Sequence, residues 1–331
     1  MRMLVTGGAG FIGANFVRET VANRPDIEVT VVDALNYAAN RASLEPVKAS
    51  ISLVEGSIAD EALTDRIVGA ADVVVNFAAE SHNDNSLDNP RPFLESNVIG
   101  TWNLLEAARK HGTRLHHVST DEVFGDLELD DPSRFDENTR YNPSSPYSAT
   151  KASADLLVRA WVRSFKVNAT ISNCSNNYGP LQHVEKFIPR QITNILLGVK
   201  PKLYGSGANV RDWIHVLDHN SAVQTIIDRG RPGETYLIGA ECEVDNLTIV
   251  KTLLRIMGKP QDWFDFVNDR PGHDMRYAIN PNKLMTELDW RPRYHDLESG
   301  LEQTVAWYCD NRSWWEPVKA ATEKKYASIG R

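Results

Sequence analysis

TGGAGFIG, residues 6–13, sits between the apolar run MRMLV and the helix-like stretch FIGANFVRETVAN. Gly7, Gly10 and Gly13 are spaced three apart. Glycine lets a backbone approach a pyrophosphate closely, and the N-terminus of the following helix favours negative charge. A glycine triplet alone is weak evidence, but one placed between a strand and a helix is in the context that counts. A second strand-like run, VTVVD, ends in Asp33, about 20 residues beyond Gly13. A carboxylate there can accept from both ribose hydroxyls of NAD and would repel the 2′-phosphate of NADP. A generic strand–turn–helix explains the glycines but not Asp33.

The same alternation continues outward. EVTVVD, ISLVEG, ADVVVNFAA and RLHHVST read as strands, and DEALTDRIVG and VIGTWNLLEAARKHG as helices. The strand runs are apolar rather than alternating, as expected where helices cover both faces of a sheet. This is the pattern of an α/β fold, a Rossmann-type doubly wound parallel sheet. After residue 177 the pattern loosens into short elements punctuated by Pro, Gly and charge. Residues 1–177 are therefore expected to form an NAD-binding domain, with parts of the later chain returning to it. Residues 178–331 are expected to form a smaller, irregular α/β substrate lobe.

Bulk properties narrow the class. The 331 residues are 42% hydrophobic and carry a net charge of −8, with no basic run to suggest nucleic acid or an anionic membrane. No apolar run approaches the roughly 18 residues needed to span a bilayer. MRMLVTGGAG opens as a strand and turn rather than a signal peptide. Cys174, Cys242 and Cys309 are odd in number and far apart, without metal-ligand spacing. Reduced thiols, a cytoplasmic location and no metal are expected.

SPYSATK places Tyr147 and Lys151 four apart near a helix start, on one face. A lysine beside a phenol favours the phenolate and lowers its pKa. The lysine can also donate to a nicotinamide ribose. A lone Y-x-x-x-K is common by chance. It becomes specific downstream of a nucleotide-binding loop, with Ser119 and Thr120 ending the preceding strand. Either hydroxyl can share a substrate proton with Tyr147. HHVSTDEVFGD, residues 116–126, then sets Asp121 beside Glu122. Such neighbours repel, and if both are desolvated one pKa rises, which suits an acid and a base. Adjacent side chains on a strand face opposite ways, so the strand must turn at Asp121 for both to reach one ligand.

This combination resembles the extended, nucleotide-sugar branch of the short-chain dehydrogenase/reductase superfamily. Within that branch a 4-epimerase needs no acid–base pair for a second carbon, whereas a 4,6-dehydratase does. STDEVFG, FAAESH, SNCSNNYGP, QHVEKFIPRQI, NVRDWIHVLDH, DRPGHDMRY and NRSWWEP are similar to the dTDP-glucose 4,6-dehydratase family, from residue 3 to about 318. The resemblance implies a lyase with tightly bound NAD, recycled in each turnover. It would act on dTDP-glucose and feed deoxysugar biosynthesis, rhamnose included. It implies Tyr147 as the group taking the C4 hydroxyl proton, tuned by Lys151, with Thr120 bonded to the same hydroxyl. Glu122 would be the base at C5 and Asp121 the acid at C6.

The resemblance also implies binding residues. Gly7, Gly10, Phe11, Ile12, Gly13 and Asp33 would hold NAD. Ser57, Ile58, Ala78, Ala79, Ser119 and Cys174 would line its path towards Tyr147 and Lys151. For the substrate, Ser81, His82, Thr120, Glu185 and Lys186 would lie near the sugar. Asn176 or Asn177, with Arg211, Arg270 and His273, would meet the diphosphate. Asn246, Lys202 and Tyr204 would line the nucleotide end. His82 is as readily structural as catalytic. Dimers through two long helices are usual in the family, and residues 96–111 and 147–165 are the candidates. Leu104, Leu105, Ala108, Leu156, Leu157, Ala160 and Trp161 could serve that purpose or face the chain's own sheet.

Rival readings are the same chemistry on UDP- or CDP-glucose, a 4-epimerase, a UDP-sugar decarboxylase, and a nucleotide-sensing regulator that has lost catalysis. The acid pair opposes the epimerase, and the intact Tyr147, Lys151, Asp121 and Glu122 oppose the regulator. Three places depart from the family pattern. Asn83 and Asn85 stand where valine and arginine are usual, Ser57 where an aspartate is usual, and Leu181 where an aromatic is usual. Weaker cofactor binding and altered loop order, subunit contacts or substrate fit are the expected consequences.

Overall fold

The structure is a computed structural model that describes residues 1–269, 273–294 and 296–328, without the side chains of residues 325, 327 and 328. Its first half runs β1 (Arg2–Thr6), α1 (Phe11–Asn23), β2 (Glu28–Asp33), β3 (Ile51–Glu55), α2 (Glu61–Gly69), β4 (Val73–Asn76), α3 (Asn83–Asp88), α4 (Arg91–Phe93), α5 (Gly100–His111), β5 (Arg114–Thr120), α6 (Pro146–Phe165) and β6 (Ala169–Cys174). A π-helical turn, Leu94–Ile99, joins α4 to α5. The second half runs β7 (Asn176–Tyr178), α7 (Phe187–Leu196), β8 (Lys202–Tyr204), β9 (Val210–His215), α8 (Val216–Arg229), β10 (Thr235–Ile238), β11 (Glu243–Asp245), α9 (Asn246–Ile256), β12 (Asp265–Val267), α10 (Asn282–Glu287), α11 (Leu297–Asp310) and α12 (Arg312–Ser328).

The main sheet is parallel throughout, in the order β3-β2-β1-β4-β5-β6-β10. The order reverses between β1 and β4, which opens a crevice at the carboxyl ends of the strands. Valine-rich strands bury side chains on both faces. Val5, Val29, Val31 and Val75 meet the α1 and α8 side, and Leu4, Val32, Val74 and Leu115 meet α2, α5 and α6. β10 and α8 come from beyond residue 178 yet belong to this sheet and its cover.

The other lobe holds a three-stranded sheet, β11-β9-β7, and a pair, β12-β8. Helices α7, α9, α11 and α12 pack around Trp213, Leu203, Leu253 and the fully buried Trp315. The NRSWWEP tail thus packs, and its helix runs on to bring Tyr326 beside His82, 3.0 Å from phenol oxygen to Nε2.

Candidate active site

A cleft of about 420 Å³ follows the crevice from the glycine loop to the ends of β5 and β6. At its base Gly7 has φ +68°, a left-handed conformation that glycine adopts without penalty, and a Cβ there would lie 2.6 Å from the Ala78 nitrogen. A Cβ on Gly13 would lie 2.3 Å from the Gly7 carbonyl oxygen. The loop is closed tightly onto α1, whose N-cap, Gly10, offers no capping side chain. Asp33 is buried at the end of β2 and accepts from the Ala9 and Leu35 amides, both at 2.8 Å. A carboxylate has further lone pairs to offer a ligand. This cradle, with an acid at the second strand end, fits a dinucleotide with a 2′-hydroxyl. Gly10, Phe11, Ile12, Ser57, Ile58, Ala78 and Ala79 line the same stretch.

At the far end, β5 stops at Thr120 and the chain enters a single 3₁₀ turn, residues 121–124. Thr120 Oγ1 caps it by accepting from the Glu122 amide at 3.3 Å. This is the required bend, and it brings both Asp121 and Glu122 to the cleft. Asp121 is buried, and its Oδ2 has no hydrogen-bond partner among the described residues. Burial first, then the neighbouring Glu122, raises its pKa well above the usual carboxylate range, which favours its protonated form. Glu122 is half-buried, and its Oε2 accepts from Asn83 Nδ2 at 3.1 Å.

Tyr147 and Lys151 are placed by the start of α6. Ser145 and Ser148 cap it reciprocally, and Pro146 occupies the first turn. Lys151 Nζ donates to the Val118 carbonyl at 2.8 Å, and burial lowers its pKa. The expected lowering of the Tyr147 pKa is not what the protein alone shows. Burial, then Glu122, holds it well above the ordinary phenol value, against a hydrogen bond with Thr120. The lysine is spent on a backbone carbonyl, while two carboxylates stand by the phenol.

Ser119, Cys174, Asn176, Asn177, Ser81, Glu185 and Lys186 also line the cleft. Burial pushes the Cys174 thiol up to about 12, so it serves as an apolar wall. Glu185 lies 3.8 Å from His82 Nε2 and 3.7 Å from His183 Nδ1. His82, expected beside the sugar, is not in the cleft lining, because its ring turns back to Tyr326 and Glu185.

The structure sets the other expected ligand residues apart in the second lobe. Arg211 is buried over the Tyr277 ring, 4.2 Å away, and donates to the Val210, Asp274 and Met275 carbonyls. Its charge still acts on Asp121. Asn246 begins α9 beside the β9–β11 pairing that carries Arg211, its backbone N–H donating to the Asn209 carbonyl. Lys202 pairs with Asp265, while Tyr204 sits edge-on to His273, which pairs with Asp269. Arg270 lies outside the described residues. Of the departures, Ser57 Oγ accepts from the Ala59 amide, Leu181 is buried at φ +69°, and Asn85 bonds the Tyr37 phenol.

Some site residues were missed in the sequence. Asp155, fully buried on α6, sits 3.4 Å from His117 and accepts from Asn173, whose amide also bonds the Thr120 carbonyl. This network pins the end of β5. Its signal was present, since Asp155 follows Lys151 by four residues and shares its helix face. Tyr37, Gln182 and His183 line the cleft from loops that carry no periodic signal.

A Rossmann crevice that ends in a Tyr/Lys pair and two carboxylates defines an extended short-chain dehydrogenase/reductase. The family model described as GDP-mannose 4,6 dehydratase matches residues 4–304. The dTDP-glucose 4,6-dehydratase of Mycobacterium tuberculosis is 66% identical over 331 residues, the whole of both chains. That of Mycolicibacterium smegmatis is 63% identical, again over the whole of both. DesIV of Streptomyces venezuelae, a dTDP-glucose 4,6-dehydratase solved with NAD bound, superposes with a TM-score of 0.92 at 45% identity, covering 96% of this chain and 100% of its own. The chain belongs to the dTDP-glucose 4,6-dehydratase family.

Proposed function

We propose that this chain, an NAD-dependent hydro-lyase, converts dTDP-glucose to dTDP-4-keto-6-deoxy-glucose. The observation that carries the reading is the turn at Asp121. It delivers a buried carboxyl, whose pKa is raised by burial and by Glu122, and a half-buried carboxylate to the cleft that holds Tyr147. Bound along the glycine loop and Asp33, NAD supplies the acceptor for the C4 hydride and returns that hydride to C6.

Tyr147, bonded to Thr120, first releases its own proton to solvent and then takes the proton of the C4 hydroxyl as the carbonyl forms; solvent restores the proton of Asp121 after water has left. The ketone acidifies C5–H. Glu122 removes that proton, Asp121 protonates the C6 hydroxyl, and water leaves across C5–C6. Glu122 then returns a proton to C5 as C6 is reduced. The sugar thereby loses one water with no net redox change. Ser81, Glu185 and Lys186 lie by the sugar, Asn176, Arg211 and His273 meet the diphosphate, and Asn246, Lys202 and Tyr204 line the nucleotide end.

We place the reaction in the cytoplasm, in keeping with three free cysteines. Among the described residues no helix is long and apolar enough to cross a membrane. The product class feeds deoxysugar assembly, rhamnose included.

The test is mass spectrometry of dTDP-glucose incubated with the protein in heavy water. A product lighter by one water and carrying one deuterium at C5 is expected. Product of unchanged mass with inverted C4 would replace this reading with an epimerase. Turnover of UDP- or CDP-glucose alone would keep the chemistry and change the nucleotide.

A further inference from the structure

Two adjacent carboxyls can divide one proton in either sense, and only one sense gives a base at Glu122. The structure holds a device for the choice. Asn83, the first residue of α3, directs Nδ2 at Glu122 Oε2, 3.1 Å away. The Ser86 hydroxyl, held by donating to the Asn83 backbone carbonyl at 2.7 Å, also faces the side-chain Oδ1 at 3.4 Å, which favours the amide oxygen on the Ser86 side. Ser86 is fully buried. The amide therefore presents a donor, and not its oxygen, to the carboxylate.

We propose that Asn83 is a positioning residue for the dehydration step, whose amide holds Glu122 ionised and aimed while the proton of the pair stays on Asp121. The inference rests on the reading of Glu122 as the C5 base. A donor to a carboxylate favours its charged form. Three acids near Glu122 work the opposite way. Asp121 stands on the same turn, Tyr147 reaches it from α6, and Tyr277 reaches it from the strand-like segment after β12. Negative charge on any of the three disfavours charge on Glu122; the Asn83 donor acts against them, and the Arg211 guanidinium acts on Asp121 and Tyr277.

Asn83→Leu keeps the size and removes the donor. Asn83→Asp keeps the shape and sets a carboxylate against Glu122. The readout is the pH profile of kcat/KM for dehydration, taken with bound-NAD content and melting temperature. The acidic limb requires ionised Glu122. Asn83→Leu is expected to move it up by about one pH unit, a rate loss of about tenfold below the limb and little loss on the plateau. Asn83→Asp is expected to move it further in the same direction.

Superimposable limbs in both variants would overturn the proposal. A uniform loss at every pH with an unmoved limb would overturn it too, since that is the mark of a packing role. If one variant fails to fold, the other decides alone. Glu122→Gln, assayed alongside, separates the two layers. Wild-type turnover in that variant would show that the assignment of the base had failed, rather than the role of Asn83.

Discussion

Asp121 and Glu122 have the same chemistry and are adjacent, yet the turn gives them different solvents. Asp121 is buried, and its Oδ2 has no partner among the described residues, so its charged form is costly and its protonated form is favoured. Glu122 stays half-exposed and accepts an amide. Their roles follow from that asymmetry, and it makes two substitutions diverge. Glu122→Gln should leave the first oxidation intact and slow water loss by on the order of 10²–10⁴-fold. Reduced nicotinamide absorbance should then build up on the protein when substrate is added. Tyr147→Phe should slow the first step by a similar order, with little such absorbance. Stopped-flow absorbance distinguishes them, and a build-up in the Tyr147 variant would reverse the assignment. The raised phenol pKa sharpens this expectation, because Tyr147 begins as a neutral phenol that must pass its own proton on before taking another.

Among the elements, the glycine loop with α1 tolerates least. A Gly13→Ala methyl would enter within 2.3 Å of a backbone oxygen, where no side chain can yield. The loop and the N-terminus of α1 must separate, at a cost on the order of 1–3 kcal/mol. The expected outcome is a lower melting temperature and loss of NAD on desalting, read by absorbance of the denatured supernatant. Full NAD content in this variant would mean that the close approach is not what binds the cofactor. This element was legible because its constraint is local, with glycine spacing, strand and helix all inside one stretch. The turn at Asp121 was legible as a requirement for the same reason. The support beneath it was not. Asn173 and Asp155 meet only because β5, β6 and α6 pack together, and a buried polar contact across separate elements leaves no periodic trace. The Tyr326 contact of His82 was illegible on similar grounds, since the two are 244 residues apart.

For the molecule as a whole, chain order and spatial order part company after β6. β10 returns to the main sheet and α12 reaches back to the cleft loops, so the lobes are tied at more than one place. One surface remains unexplained within a single chain. Leu104, Leu105 and Ala108 face the sheet, which settles one half of the ambiguity in α5. Leu94, Ile99 and Trp102 on the π turn and α5, with Leu156 and Phe165 on α6, are exposed instead, at 37–56%. Five large apolar side chains exposed on elements that pack together are of the kind that marks an interface. We propose that a second copy covers it, giving a homodimer. Leu156 is the most exposed of the five, so Leu156→Glu should cost the protomer little on its own. In a two-fold dimer the same substitution enters the interface twice and would bury two carboxylates. Light scattering should then give about twice the chain mass for the wild type and the single-chain mass for the variant. A wild type that runs as a monomer at micromolar concentration would leave the patch without this role. Retained dimerisation in Leu156→Glu would place the contact on another face.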